Sequence, residues 1–132
     1  MALIKNAGRQ NLLYAVQSID LATLGGSGAY DAIDLPVGAM FVSGALSVSV
    51  ASDDSSTATL SVGISGGSAT GYLAATNVKA IADTALTGGS LAPLTGGQTI
   101  TVTAAFAGDD ATVGTANLIV AYVIDGRATE VQ

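Results

Sequence analysis

The stretch "TITVTAAF" (residues 99–106) decides the fold class. Apolar and polar side chains alternate along it: Ile100, Val102, Ala104 and Phe106 fall on one side, and Thr99, Thr101 and Thr103 fall on the other. A period of two residues is typical of a half-buried β-strand, and β-branched residues suit such a strand. We therefore predict a strand here, with its apolar side chains facing the core and its threonines facing outward.

The same alternation occurs in "ALSVSV" (45–50) and in "TLSVGI" (59–64). Clusters of turn-forming residues separate the strand-like segments, at 24–28, 52–56, 65–71, 87–97 and 107–114. Short strands punctuated by turns are typical of all-β domains. The sequence therefore predicts an all-β fold, an antiparallel β-sandwich or jelly-roll-like barrel, with at most one short helix. The predicted core comprises Leu46, Val48, Val50, Leu60, Val62, Ile64, Ile100, Val102, Phe106, Val120 and Tyr122.

The other segments complete one domain. We predict a first strand over 12–21 and a second strand region over 29–42 that Pro36 interrupts. The alanines of 72–86 favour a helical turn, whereas Thr76 and Asn77 do not sustain a long helix, so a short helix or an irregular turn is expected there. The predicted organisation is an N-terminal arm (1–11), a β-sandwich domain (12–124) and a C-terminal tail (125–132).

The closing segment "NLIVAYVI" (117–124) is apolar on both faces. One side carries Leu118, Val120, Tyr122 and Ile124, and the other carries Ile119, Ala121 and Val123. In a single sandwich the outer face of a strand is exposed to water, so a second apolar face requires a cover. The cover is either the N-terminal segment of the chain or a neighbouring subunit. The alternative is an ordinary core strand followed by a solvent-exposed tail.

The composition limits the classes of partner. Charged residues make up 11% of the chain and the net charge is −6, against the roughly 25% charged residues of typical soluble domains. So few charges favour a component of an assembly, whose partners cover much of its surface. The basic residues do not cluster, which argues against nucleic acid and against anionic membranes as partners. We expect no signal peptide and no membrane-spanning helix, because the sequence has no suitable apolar run.

The sequence offers no reactive centre. It has no cysteine and no histidine, so thiol nucleophiles, Ser-His pairs and the usual zinc sites are excluded. Lys5 and Lys79 could serve a Ser-Lys pair, but neither lies in a recognisable motif. We predict that the protein is not an enzyme and that it needs no cofactor and no metal.

Three pairs of acidic residues are the remaining candidates for chemistry: Asp31 with Asp34, Asp53 with Asp54, and Asp109 with Asp110. A glycosidase would need aromatic platforms around facing carboxylates, and the six aromatic residues are scattered. Calcium binding stays an alternative, without the spaced aspartates that would make it specific. We interpret the pairs as caps of backbone amides in solvated turns, and expect Asn at 53, 54, 109 and 110 to leave folding nearly unchanged.

Beyond these patterns, the sequence resembles the head decoration (cement) proteins of tailed bacteriophages. The resemblance covers about residues 33 to 132. It rests on the segments "DLPVGAMFVSGALSVSV", "ATLSVGISGG", "YLAATNVKA", "LTGGQTITVTAAF" and "ANLIVAYVIDGRATEVQ", of which the closing "DGRATEVQ" is the most distinctive. It implies a β-sandwich or barrel module, commonly trimeric, that binds the major capsid protein on the exterior of the assembled virion and stabilises it. Synthesis would take place in the host cytoplasm.

The resemblance, the doubly apolar segment 117–124 and the two basic residues within 1–11 together suggest which residues make the assembly contacts. The candidates are Lys5, Arg9, Ile119, Val123, Arg127 and Glu130. Ile119 and Val123 would lie under a neighbouring subunit, and the charged residues would reach a partner from the two ends of the chain. Two other classes stay open: another virion component, such as a head fibre or tail protein, and a β-sandwich module that binds a glycan or a host surface.

Overall fold

The structure, a computed structural model, describes residues 12–24, 26–54, 56–88, 94–108 and 112–124. These residues form eight β-strands: β1 (Leu13–Asp20), β2 (Gly28–Leu35), β3 (Ala39–Val50), β4 (Ala58–Ile64), β5 (Leu73–Asn77), β6 (Ala82–Ala85), β7 (Gln98–Phe106) and β8 (Thr115–Ile124). The described part of the chain contains no helix, and so none that could cross a membrane. The predicted all-β class is confirmed.

The strands pair as one long antiparallel hairpin that has been rolled up. β1 pairs with β8, β2 with β7, β3 with β6, and β4 with β5. Rolling places β3 beside β8 and β4 beside β7, which gives two four-stranded sheets of order β1-β8-β3-β6 and β2-β7-β4-β5. This arrangement is a jelly roll, as predicted. We call the two layers the β8 sheet and the β7 sheet.

The core lies between the two sheets. Seven of the predicted core residues are buried, namely Leu46, Val48, Leu60, Val62, Ile100, Val102 and Val120. Ile64, Phe106 and Tyr122 are half-buried and pack against the same cluster. Val50 was wrongly predicted, because it is 46% exposed. A β-bulge between Val48 and Val50 inserts Ser49 into the ladder, so Val50 opposes Thr115 and turns to the outer face.

The predicted break at Pro36 is confirmed. Pro36 follows the end of β2, the carbonyl of Pro36 accepts a hydrogen bond from the Ala39 amide (3.1 Å), and Gly38 takes a φ of 86° in the turn. β3 then runs much further than the alternation indicated, because a second bulge between Phe41 and Ser43 changes the phase of its alternation. The predicted first strand at 12–21 is also confirmed.

The expectation of a helical or irregular turn at 72–86 is wrong. Strands β5 and β6 occupy this segment. Tertiary contacts override the weak helical preference of the alanines: Tyr72, Leu73 and Val78 are buried in the core. The rings of Tyr72 and Phe41 pack in an edge-type arrangement with a centroid distance of 5.0 Å, and the Tyr72 hydroxyl donates a hydrogen bond to Gln98 Oε1 (2.6 Å). Burial raises the pKa of the Tyr72 phenol.

Candidate assembly surfaces

The outer face of the β8 sheet is the first candidate surface, and β8 positions it from the centre of that sheet. Ile119 lies between Val16 of β1 and Ala45 of β3, and Ala121 lies between Tyr14 and Ser43. Directly opposed residues project from the same side of a sheet, so these side chains share a face opposite to the core. We call this surface the open face; it comprises Tyr14, Val16, Val42, Ser43, Ala45, Ile119, Ala121 and Val123.

The open face is apolar and solvent-accessible within the described structure. Tyr14 is 64% exposed, Val16 is 62% exposed and Val42, the extra residue of a bulge, is 42% exposed. Ile119 and Val123 are half-buried on it, where the doubly apolar pattern of 117–124 predicted them. The sequence patterns had not predicted that Tyr14, Val16 and Val42 belong to this surface. The pattern of β1 gave a signal for Tyr14 and Val16, since they alternate with Ala15 and face away from it.

The two ends of the described domain form the second candidate surface. Leu13 is paired with Tyr122, so the described chain begins at Leu12 and ends at Ile124 on neighbouring strands at the same end of the β8 sheet. The points at which residues 1–11 and 125–132 join the described domain are therefore neighbours. The predicted contact residues Lys5, Arg9, Arg127 and Glu130 lie outside the described residues.

Charge is distributed unevenly between the domain and its ends. Residues 12–124 contain eight acidic residues and one basic residue, Lys79, whereas the two end segments together contain three basic and two acidic residues. Three of the four basic residues therefore belong to the two segments that are joined to one end of an acidic domain.

Asp53 joins two loops at the end of the sandwich opposite to Leu12 and Ile124. Its Oδ1 accepts hydrogen bonds from the amides of Thr112 (2.7 Å) and Val113 (3.1 Å), and its Oδ2 accepts one from the Thr112 hydroxyl. The Thr112 hydroxyl, followed by the two amides, lowers the pKa of the Asp53 carboxyl from 3.8 to about 2, because these donors favour the ionised form. The interpretation of this residue as a cap of backbone amides is confirmed.

Asp54 is buried beside it, with an exposure of only 3%. Its Oδ1 accepts hydrogen bonds from the amides of Ser56 (2.7 Å) and Gly108 (3.2 Å), while its buried Oδ2 has no hydrogen-bond partner among the described residues. Asp53 and Asp54 thus join the loop after β3 to the loop before β8. We therefore expect Asn substitution at Asp53 to weaken the fold, contrary to the sequence-based expectation of no effect.

These acids do not assemble a cation site within the described structure. The described residues contain no group of three or more acidic, His or Cys side chains that could hold a metal ion, and Asp109 and Asp110 lie outside them. Calcium takes six to eight oxygen ligands. Both Asp53 oxygens and one Asp54 oxygen already accept hydrogen bonds from the protein. The observed role of the two side chains is therefore to hold these loops together.

A shallow cavity of about 200 Å³ lies where the edges of β1 and β2 meet. Two of its polar groups serve the fold. The Tyr30 hydroxyl lies within hydrogen-bonding distance of two carbonyls, those of Leu24 (2.5 Å) and Gly26 (2.7 Å), which share its one proton, and Asp20 accepts a hydrogen bond from the Ala22 amide (3.0 Å). Ligand pockets are usually about 300 to 1,000 Å³. The cavity is smaller than that, and it offers no aromatic platform for a sugar apart from the engaged Tyr30.

Comparison with known proteins adds the shared fold. No protein-family model matches the chain, and no curated protein matches it. Among solved structures, a chain in the capsid asymmetric unit of cyanophage Pam1 matches with a TM-score of 0.77 and 24% identity, over 93% of this chain and 94% of that one. A chain in the capsid of Ralstonia phage GP4 matches with a TM-score of 0.67 and 20% identity, over 94% and 90% of the two chains.

A third match comes from the acidic stable capsid structure of Helicobacter pylori bacteriophage KHP30. It has a TM-score of 0.66 and 18% identity, and covers 86% of this chain and 89% of that one. In all three cases nearly the whole of both chains is superposed, so the similarity is that of a complete domain. The protein has the fold of chains found in three phage capsids.

Proposed function

We propose that the protein is a structural component of a phage virion, and specifically a decoration (cement) protein that binds the outside of the assembled capsid and stabilises it. One observation carries the proposal: the same jelly roll, over at least nine-tenths of both chains, occurs in the capsids of Pam1 and GP4. The resemblance of its turns and closing segment to decoration proteins supports the finer assignment. This role requires no catalysis.

The position of the two chain ends supports a clamp. The two end segments carry three of the four basic residues, and both are joined to the acidic domain at the same end. In this proposal the protein contacts an acidic surface of its partner from that end. A stable specific contact usually buries at least about 1,000 Å². Extended segments add contact area without enlarging the domain, and 11 residues reach up to about 36 Å. In this proposal Lys5, Arg9, Arg127 and Glu130 contact the major capsid protein.

The sparse charge and the open face support a homo-oligomer, for which we propose a trimer. Tyr14, Val16 and Val42 expose apolar surface that a solitary soluble domain would normally replace with charged residues. The half-buried Ile119 and Val123 would lie under the neighbouring copy.

The test compares three forms of the protein on capsids that lack it: the full chain, a form without residues 1–11, and a form without residues 125–132. We expect both truncated forms to keep a β-type far-ultraviolet spectrum and to be retained at least about tenfold more weakly, which corresponds to about 1.4 kcal/mol. The matched control is Lys79→Ala, which removes the one basic residue outside the end segments and should retain full occupancy.

The outcomes separate the possible roles. Full-strength retention of both truncated forms would exclude the clamp. If the full chain does not bind capsids and is recovered in tail or fibre fractions of the virion, the protein is a different virion component. Binding to host cells or glycans without binding to capsids would favour the surface-binding module.

A further inference from the structure

The open face differs from the rest of the surface in its charge. Its strands contribute mainly apolar and small polar side chains. Two acidic residues lie on this side of the sheet, both at its margins: Asp83 of β6 accepts a hydrogen bond from Ser47 (2.5 Å) at the far edge, and Asp20, the last residue of β1, accepts one from the Ala22 amide (3.0 Å). Asp31 and Asp34 belong to the β7 sheet, and Asp53 and Asp54 lie in a loop at an end of the sandwich.

The face continues to the free edge of β1. In the described structure β1 pairs only with β8, so its other edge is unpaired over eight residues. Soluble proteins usually protect such edges with Lys, Pro or very short strands. β1 has no charged residue before Asp20, and it presents Tyr14 and Val16 instead. The edge strands on the opposite side of the molecule, β5 and β6, have only five and four residues.

The face is uneven in a way that allows a second copy to fit. Tyr14 and Val16 protrude along β1, whereas Ala121, Ser43 and Ala45 form a floor of small side chains on β8 and β3. Large side chains beside small ones allow two surfaces to interdigitate. Three copies arranged in a ring could each place the protruding residues of β1 on the floor of the next copy.

The open face covers most of the area that a stable interface needs. Its three strands, about 4.8 Å apart and each with about eight residues rising 3.3 Å, cover roughly 380 Å². Two such faces bury about 760 Å², so the free edge of β1 has to contribute the rest of the roughly 1,000 Å² of a stable specific contact. Because each copy carries a net charge of −6, copies repel one another through most of their surface. The uncharged face is where they can approach with the least repulsion.

We propose that the open face, together with the free edge of β1, is the surface that joins copies of this chain, and that a second copy covers it. The inference deepens the homo-oligomer part of the proposed function and does not depend on binding to capsids. It assigns Tyr14, Val16 and Val42 to the contact between subunits, in addition to Ile119 and Val123.

The experiment measures association of the purified full chain by analytical ultracentrifugation, without capsids. The variants are Tyr14→Glu and Val42→Glu, which place a carboxylate on the face from two different strands. The matched control is Ile81→Glu, since Ile81 is 72% exposed in the connection between β5 and β6 and is not one of the residues of the open face. Far-ultraviolet spectra and thermal melts identify a variant that fails to fold, and two positions guard against that failure.

We expect the wild type and Ile81→Glu to be oligomeric at micromolar concentration, and both face variants to associate at least about tenfold more weakly. Unchanged association of folded face variants, or a monomeric wild type, would overturn the proposal. The same variants can be carried through the capsid-retention test of the proposed function. Face variants that remain oligomeric but lose capsid occupancy there would also overturn the proposal, because the face would then contact the shell. A dimeric wild type that the face variants dissociate would support the surface and contradict the trimer.

Discussion

The outer face of the β7 sheet is polar and partly covered by the chain itself, whereas the outer face of the β8 sheet is apolar and open. On the β7 sheet, Ser61 and Thr101 are only 6% and 7% exposed. The loop after β4 folds back over them: a Cβ added at Gly63 would lie 2.2 Å from the Ser68 carbonyl oxygen. Gly63 pairs with Thr101, so its missing side chain lets the loop lie close to the sheet.

The β8 sheet has the opposite arrangement. Its outer face carries Tyr14 and Val16, which are more than 60% exposed in the described structure. A monomeric domain is expected to cover its apolar face and to leave its polar face exposed to water. This chain covers the polar face with its own loop and leaves the apolar face accessible in the described structure. The proposed contact between copies would account for this contrast.

The inner faces of the two sheets, by contrast, should contribute equally to stability. Truncation of their buried side chains should lower the free energy of unfolding more than any other substitution considered. Leu60 of the β7 sheet and Leu118 of the β8 sheet are both fully buried. We expect Leu60→Ala and Leu118→Ala each to lower the free energy of unfolding by about 2 to 5 kcal/mol, because each removes buried methyl groups and leaves a cavity. Urea denaturation measures the change. Ile119→Ala, on the outer face, should lower the stability of the monomer much less, and an equal loss would mean that the open face is part of the core.

The alternation of the sequence predicted these inner faces where the strands are regular. β4 and β7 follow the period of two throughout, and the central apolar residues of both were assigned correctly. The bulges were not predictable, because an extra residue in one strand is defined only by the partner strand that it opposes. For that reason Val50 was assigned to the core and Val42 was not recognised as part of the open face.

The candidate surfaces were predictable to a similar extent. The doubly apolar stretch placed Ile119 and Val123 on an outer face directly. The contributions of Tyr14 and Val16 depend on which strand lies beside β8, and the pairing of the first strand with the last is a long-range feature. The hydrogen bonds of Asp53 to Thr112 and Val113 likewise join residues far apart in the sequence. Local patterns carry no information about such partners.

A substitution at Gly63 sharpens the contrast between the covered face and the open face. We expect Gly63→Ala to destabilise the protein by about 1 to 3 kcal/mol, because the new methyl group collides with the backbone of Ser68 and Ala69. It should also make residues 65–71 more accessible to limited proteolysis. Ser43→Ala, on the open face, is the matched control and should change stability by less than about 0.5 kcal/mol. A neutral Gly63→Ala would show that the loop does not lie on the sheet.

The hydrogen bonds of Asp53 join the loop after β3 to the loop before β8, which we call the end loops. They predict that the stability of the protein depends on pH. The pKa of Asp53 in the folded protein is about 2, below the value of 3.8 for an unperturbed group. A carboxyl whose pKa is lowered by folding contributes stability above its unfolded pKa and loses that contribution as the pH falls through the folded pKa. We therefore expect the melting temperature of the wild type to exceed that of Asp53→Asn above about pH 4, and the difference to vanish towards pH 2.

Thr112→Val is the companion variant, because the Thr112 hydroxyl is the largest cause of the lowered pKa. Without it, the remaining amide donors hold the carboxylate less strongly, so the pKa of folded Asp53 should lie closer to 3.8. The loss of stability on acidification should then be smaller and should be complete at a higher pH. A constant difference between wild type and Asp53→Asn across the whole range would show that the charge of Asp53 contributes nothing to the fastening.

The smallest expected effect is that of calcium removal. If the end loops are fastened by hydrogen bonds within the chain, a chelator should leave the melting temperature unchanged, and so should millimolar calcium. A genuine site, saturated at a hundred times its Kd, would add about 2.7 kcal/mol, which is several degrees for a domain of this size. Asp54 has one oxygen without a partner in the described structure, far short of the six to eight that calcium takes. A stabilisation of several degrees by calcium but not by magnesium would show that a bound ion holds the end loops together, in contrast to the β7 sheet, which the chain covers itself, and to the open face, which we assign to a second copy.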